Sequence, residues 1–574
     1  MTNKKLPDRV TNKQLPDRVT NKQLPDRVTN KQLQVVFQPR RVYVAASYMS
    51  RVGKYNGKHL EALTFVELAE RVGQIFSGSP VRREAIEAVV VGSQNPFAFN
   101  HMDNVAAKIA GLLGISGAKS VLIDTASSSG ASAFENAYLE VASGRYECVL
   151  AIGIQKMTDA DTEEATKIIA GVIDRDEAEY GLTMPACGAL VAKSLMHEFK
   201  LDDDQWSSLA ARWAERAHRF AVRHTEAHLN FPLPVDNYRR DLRNGRNWLY
   251  YDPLRLYDCC PMSDAVAACI LTSERQPVQV VGVGSATDLP TVADRGQFGS
   301  FPATVMAAHQ AYGMAGLPDI RDMAYKLCVN MHDPFSSFGP VNLVDLGLVQ
   351  RQDALHALLD DNLTGPRGRF PTNLSGGLLA RGHPLGATGM VQVVENHRRL
   401  LDTPAYQMAL SHSIGGPINN NVVILLEKSD HYEERPHLPY RPKTLPKLAQ
   451  MKPKGLSLET LFAERNRVKA RFHCATTRFN REGEPLNSIV LLQAVIGRQR
   501  YEFLIGTGPG EYETLQRMRS GQEIRLGRLG SALTIDEMPV QRLYRKTMEG
   551  IVEIADSAWH LFIRRKQPVP VDGK

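Results

Sequence analysis

One structural unit is written twice in this chain. A hydrophobic strand over 121–123 runs into a turn of small hydroxyl residues, Asp124-Thr-Ala-Ser-Ser-Ser-Gly130. A helix over 131–142 and a second strand over 148–152 follow. Farther on, a glycine-containing turn with His383 opens a helix over 387–401 that leads to a strand over 407–410. Strands over 42–46, 278–284, 326–329 and 422–426 alternate with helices over 65–76, 105–113 and 303–311. The alternation predicts an α/β fold, and the repetition predicts two similar halves packed face to face.

The flanking segments obey other rules. Residues 1–36 hold a nine-residue repeat, Thr2 to Val10, Thr11 to Val19 and Thr20 to Val28. It carries one Leu, one Val and one Pro per copy, too little apolar surface for a core, and reads as a disordered tail. Residues 37–276 read as the first half, with a polar excursion or loop domain over about 166–270, and 277–428 as the second. Residues 429–455 are rich in proline and read as a linker. Residues 456–574 predict a small β-barrel-like domain with helices: strands over 468–479, 488–504 and 523–529, and helices over 512–519 and 544–562.

With 574 residues, 43% hydrophobic and 23% charged, the chain is long enough for several cores and lacks any apolar run that would span a bilayer. A net charge of +7 suits phosphorylated ligands without demanding a nucleic acid, and Arg465, Arg467, Lys469, Arg471, Arg478 and Arg481 in the last domain read as a solvated strand face. Seven irregularly spaced cysteines give neither a disulfide framework nor a zinc pattern, the adjacent pair Cys259-Cys260 included. No metal is expected. Neither end carries an export, retention or peroxisomal signal, so the expected location is cytoplasmic.

The densest chemistry lies in Asn373-Leu-Ser-Gly-Gly-Leu-Leu-Ala-Arg-Gly-His383-Pro-Leu-Gly-Ala-Thr-Gly389. A histidine on a turn before a helix can donate to a developing oxyanion or take a proton from a nucleophile. The glycines allow close approach of backbone to a ligand.

Together with the segment from Ser127 to Met157, His332-Asp-Pro-Phe335 and Ser413-Ile-Gly-Gly416, this string resembles the thiolase family, closest to its sterol-carrier-type and archaeal-like branch. The resemblance covers about 40–428. It implies a five-layered αβαβα fold of two fused halves, a loop domain that helps hold coenzyme A, and, as in a subset of the family, an extra C-terminal β domain, here OB-like. It further implies CoA or acyl-CoA as ligand, no covalently bound cofactor, a role in lipid metabolism and a homodimer.

Two departures from the family pattern stand out. Family members place a nucleophilic cysteine where this chain has Ser127, and a second acid/base cysteine at the place of Pro334 or of Ser413. A thiol with a pKa near 8.5 is readily ionised at a helix N-terminus, whereas a serine must lose its proton during attack. Ser127 is therefore read either as a nucleophile with His383 as base or as part of a helix cap. His332 and His383 are read as holding a thioester carbonyl oxygen, and the amides of Gly415 and Gly416 as a second oxyanion site. Asn373, Ser375, Gly376 and Gly382 are read as substrate contacts. The function expected is acyl transfer or carbon-carbon bond formation or cleavage on a CoA thioester; the alternative is a non-catalytic acyl-CoA binder.

Overall fold

The computed structural model describes residues 40–438, apart from 180, 294, 296, 297 and 433, and most of 467–535, with 538–539 and 564–566. The repeat over 1–36, the body of the proline-rich linker and the helix expected over 544–562 lie outside the described residues.

Among the described residues eleven strands precede the linker: β1 Val42–Met49, β2 Ala88–Gly92, β3 Lys119–Ile123, β4 Cys148–Gln155, β5 Leu249–Tyr251, β6 Leu254–Arg255, β7 Ala265–Thr272, β8 Val278–Thr287, β9 Leu327–Asn330, β10 Met408–Gly415 and β11 Asn420–Lys428. Nine form a sheet in the order β3-β2-β4-β7-β1-β8-β11-β10-β9. The two halves read outward from the centre in the same way: first strand, last strand, then the parallel strands (β2, β3 and β4 in one, β9 and β10 in the other). Within the sheet, among the described residues, they join where β1 meets β8, through Val42 with Val280 and Tyr43 with Gln279. The expected duplication is therefore present in the strand order itself.

Alternation along the strands assigns each side chain to a layer. Val89, Val91, Leu150 and Ile152 face Phe65, Leu68, Val105 and Ile109 of the helices Phe65–Glu70 and Val105–Leu112. Their neighbours Ala88, Val90, Val149 and Ala151 face the opposite way, toward Phe134 and Ala137 of helix Ser129–Ala142. That helix packs beside helix Thr388–Asp402, whose Met390, Val391 and Val394 also meet Val422, Ile424 and Leu426 of β11. The other face of β11, Val423 and Leu425, packs on Ala307, Ala308 and Ala311 of helix Pro302–Met314. The result is helix, sheet, paired helices, sheet, helix: five layers. In helix Ser129–Ala142 the buried Ala133, Phe134, Ala137, Tyr138 and Val141 keep the helical period.

Between β4 and β7 the excursion holds helices Met184–Phe199 and Asp203–Ala221, the latter opened by a capping box of Asp202 and Gln205. It ends earlier than expected, because Ala265–Thr272 is an interior strand of the main sheet, buried at every residue.

Beyond the linker lie β12 Arg467–Phe479, β13 Pro485–Ile496, β14 Gln499–Thr507, β15 Glu523–Leu529, β16 Ala532–Ile535, β17 Met538–Pro539 and β18 Arg564–Lys566, in the antiparallel order β17-β16-β15-β12-β13-β14-β18. The expected strand over 488–504 is two strands, since β13 and β14 pair antiparallel. Among the described residues no pair joins the two ends of this sheet into a closed barrel. Lys469, Arg471 and Arg478 are exposed while Ala470, Phe472 and Phe479 are buried. The sheet is clasped to the body at β5. Arg478 bridges Tyr251, Asp252 N–H donates to Thr477 O at 2.9 Å, and Thr476 Oγ1 donates to Asp252 O at 2.9 Å.

Candidate functional site

The chemistry collects at the carboxyl ends of the parallel strands, the usual ligand position in open α/β sheets. After β3, Ala126 takes a left-handed φ of 57°, which turns the chain sharply before helix Ser129–Ala142. Most hydroxyls of the turn are used locally. Ser128 Oγ donates to Thr125 O at 2.8 Å, Ser129 Oγ to Ala126 O at 2.5 Å, and Thr125 Oγ1 meets Ser132 Oγ at 2.9 Å. Ser127 is partly exposed and its Oγ reaches out of the turn to Gln94 Oε1, a long bond of 3.3 Å.

Gln94 ties the turn to the other half. Its N–H donates to Gln155 Oε1 at 3.0 Å, Gln155 Nε2 returns a bond to Gln94 O at 3.0 Å, and Gly386 N–H donates to the same Gln155 oxygen at 3.2 Å. One side-chain amide thus fixes the loop after His383 against the strand end before Asn95.

His383 is buried, with Nδ1 2.8 Å from Thr388 Oγ1 at the start of helix Thr388–Asp402. Burial, aided by the Arg381 guanidinium, pulls its pKa down to about 3, so the ring is neutral. His332 follows β9, and its ring meets that of His383 edge to face, centroids 5.0 Å apart. Burial, with His383, His412 and Arg381 nearby, holds His332 far below the ordinary histidine range. Its Nδ1 is buried without a hydrogen-bond partner among the described residues.

The strand end carrying His332 is held by Asn373, which accepts from Met331 N–H at 2.8 Å and donates to Met331 O at 3.2 Å. Asp333 accepts from Leu378 N–H at 2.7 Å, and burial pushes its carboxyl up to about 7. A side chain at Gly377, φ +58°, would place its Cβ 2.3 Å from Asp333 Oδ2. That accounts for one glycine of the string. Ser375 is buried, and Gly376 and Gly382 hold φ of 101° and 109°, the second beside Ser263.

Strand β10 delivers the last block. Ser413 is 1% exposed and its Oγ has no partner among the described residues. A Cβ on Gly415 would lie 2.0 Å from Thr125 O and 2.9 Å from Ser128 N, so this strand end lies flush against the Ser127 turn. Gly416 follows with φ 59°. His412, buried on the other side of the strand, meets Thr304 Oγ1 at 3.2 Å and is pulled by burial down to about 4.

The structure therefore brings Gly415 against the turn of Ser127 and His383 against His332, while the glutamine clasp links the two pairs. Two neutral imidazoles side by side are able to donate N–H to an oxygen that becomes negative, at no cost of losing a charge. Among the described residues Ser127 has Gln94, not His383, as its hydrogen-bond partner. No group of three His, Cys, Asp or Glu side chains forms a metal site among the described residues.

Sequence reasoning passed over Gln94, Gln155, Asp333 and His412. Gln94 had one usable signal, since it follows a fully buried strand and precedes Asn95-Pro96, where a strand end turns.

Residues 42–232 match the family model described as Thiolase, N-terminal domain, and 284–428 that described as Thiolase C-terminal domain-like. The chain is 32% identical over 346 residues to the acetyl-CoA acetyltransferase of Methanothermobacter thermautotrophicus, covering 58% of this chain and 86% of that protein. It is 26% identical to human (Homo sapiens) sterol carrier protein 2, over 68% of this chain and 72% of that one. In fold it is similar to a monomeric SCP2-thiolase like protein type 1 from Mycobacterium smegmatis, at TM-score 0.63 and 16% identity over 87% of this chain and 99% of that one. It is also similar in fold to the Ltp2-ChsH2(DUF35) aldolase, at TM-score 0.55 and 19% identity over 69% and 100%. With duplicated halves, four converging blocks and matches across more than half its length, the chain belongs to the thiolase family.

Proposed function

We propose that this protein binds CoA thioesters and acts on them, by acyl transfer or by making or breaking a carbon-carbon bond, with Ser127 in the nucleophile's place. The observation that carries the reading is the buried pair His332 and His383, 5.0 Å apart and both neutral, with His332 Nδ1 unpartnered. A thioester carbonyl oxygen set between these rings gains N–H donors in a site of low dielectric, where such bonds are strongest. Thr388 Oγ1 is placed to donate to His383 Nδ1, which leaves Nε2–H as the donor. The amides of Gly415 and Gly416, beside the Ser127 turn, form a second oxyanion site, and Asn373, Ser375, Gly376 and Gly382 line the approach.

A second reading is binding without turnover. It is favoured by the bond from Ser127 to Gln94 and by the absence of a thiol at Pro334 and Ser413. Acetoacetyl-CoA cleavage by the wild type, Ser127→Cys and Ser127→Ala, with the intact mass of each, separates the two. An acyl adduct that disappears in Ser127→Ala supports the first; CoA heat in calorimetry with neither adduct nor turnover supports the second.

A homodimer and a cytoplasmic location belong to the same proposal. Strand β3 ends the sheet and is half-buried along its whole length, as an edge available to a second copy would be, and all seven cysteines are free. The Mycobacterium smegmatis relative is described as monomeric, so light scattering decides between the two states.

A further inference from the structure

We propose that Cys260 is the thiol of this site, set against the bound thioester from the segment that returns to the main sheet, and that it gives a proton to the carbon released when a carbon-carbon bond breaks. The inference rests on the acyl-CoA reading above. The segment threads between the two histidine loops: Cys259 bridges Phe335, Cys260 N–H donates to Pro334 O at 2.8 Å, and Met262 pairs with His383. Cys259 is extended, at φ −113° and ψ 140°. In extended chain Cys260 and Met262 share a side, and Met262 packs against the small cluster of Phe99, Met157, Ala165 and Leu385, the last just beyond His383. The segment carrying the thiol is thus bonded to the loop whose place for a second cysteine is taken by Pro334.

Three further observations agree. Of the seven cysteines, Cys148, Cys187, Cys269, Cys328 and Cys474 are buried, and only the adjacent pair keeps partial exposure. Cys259 Sγ turns back to Arg255 O at 3.6 Å, which leaves Cys260 as the thiol free to serve the site. His332 Nδ1 and Ser413 Oγ, on the blocks that converge here, are buried polar atoms without partners among the described residues, as expected of groups that meet a ligand. Burial, with the charge of Asp333, pushes the Cys260 thiol up to about 12. It therefore keeps its proton at neutral pH, which suits a donor rather than a resting nucleophile.

The step balances without an added reductant or oxidant. Ser127 attacks the 3-carbonyl carbon of a 3-oxoacyl thioester while His383 Nε2–H passes its proton to the carbonyl oxygen and takes the serine proton in exchange, so that the ring stays neutral. The C2–C3 bond then breaks as the 3-carbonyl re-forms, its electron pair left on the α-carbon of the departing acetyl thioester. Cys260 S–H transfers its proton to that carbon, and the thiolate takes the hydroxyl proton released from the 3-position. The sulfur of the incoming CoA thiol then takes the acyl group from Ser127, and its proton passes to the serine oxygen.

The full chain is treated with bromoacetyl-CoA, with and without excess CoA, and the alkylated residue is mapped by mass spectrometry. In parallel, the methyl protons of acetyl-CoA are followed by NMR in deuterated water. The expected results are a label on Cys260, slowed at least tenfold by CoA, and an exchange rate that falls at least tenfold in Cys260→Ser but stays within twofold in Cys259→Ser. A label elsewhere, a label indifferent to CoA, or exchange unchanged by Cys260→Ser overturns the assignment. Mapping on the unaltered chain decides the matter if Cys260→Ser does not fold. Calorimetry separates the two levels: CoA binding without Cys260 labelling removes this inference alone, whereas no CoA binding removes the acyl-CoA reading as well.

Discussion

The two central helices are related by the duplication, yet the turns that open them have opposite characters. Around helix Ser129–Ala142 the hydroxyls of Thr125, Ser128 and Ser129 satisfy one another and the local backbone. Around helix Thr388–Asp402 and the strand ends packed on it, His332 Nδ1, His412 Nδ1 and Ser413 Oγ stay buried and unpartnered among the described residues. Closing local bonds stabilises a turn; leaving buried polar atoms open costs stability, about 1–3 kcal/mol for each group. At converging strand ends such atoms are suited to meet a ligand. On this argument the second half supplies most of the chemistry, and the first supplies a wall from which Ser127 Oγ reaches outward and in which Ser93 Oγ, after β2, is left open among the described residues.

The most severe way to break that contrast is to remove His383. If it is the principal oxyanion donor, His383→Ala lowers acyl-CoA turnover about 10²–10³-fold while CoA affinity moves far less. Steady-state kinetics beside calorimetry reads both, and equal losses from His383→Ala and Ser127→Ala would erase the distinction between the halves.

The joint between the halves is the next target. Gly415→Ala drives a Cβ into Thr125 O and Ser128, backbone and side chain that have no room to retreat. Overpacking of this kind costs about 3 kcal/mol, and a urea midpoint unchanged from wild type would show that the strand end is not seated on the turn.

A pH titration sharpens the comparison. The folded pKa of His383 lies near 3, below the unfolded value of about 6.5, so its contribution to stability is complete above 6.5 and is lost as pH falls toward 3. Between pH 7 and pH 5 that loss amounts to about 2 kcal/mol. His383→Gln is expected to flatten the acid limb of the stability curve by about that much, measured by denaturant melts at both pH values.

The smallest effect separates the serines. Ser413→Ala removes a hydroxyl that has no partner and changes stability by less than about 0.5 kcal/mol, or raises it, while Ser127→Ala gives up one long bond worth about 0.5–1 kcal/mol. The reverse order, in the same melts, would assign the open atom to the wrong half.

Much of this arrangement was legible in the residues. The duplicated unit and the four blocks follow from periodicity and glycine spacing, and the five layers from the family resemblance, because each leaves a local signature. His412 leaves none: it sits in a strand buried at every residue and is paired by Thr304, 108 residues away. The bond between Gln94 and Gln155 is hidden for the same reason, since a pair separated by 61 residues is visible only after the sheet has formed. The excursion before β7 was read as too long because its polar composition ends gradually, whereas the strand begins abruptly at Ala265. Cys260 was noticed only as half of an unsuitable metal pair; its nearness to Pro334 is a matter of tertiary bridging.

The clasp at β5 imposes a timetable on synthesis. Asp252, which lies just ahead of Cys260 in the chain, accepts from Thr476 across 224 residues. A ribosome makes the serine turn, both histidine loops and the whole main sheet before it makes this partner. Closing so long a loop is slow relative to the local steps that precede it. The nascent protein therefore carries every block of its candidate site, with Asp252 already paired to Lys193, before the strand that completes the hold on the segment leading to Cys260 is made.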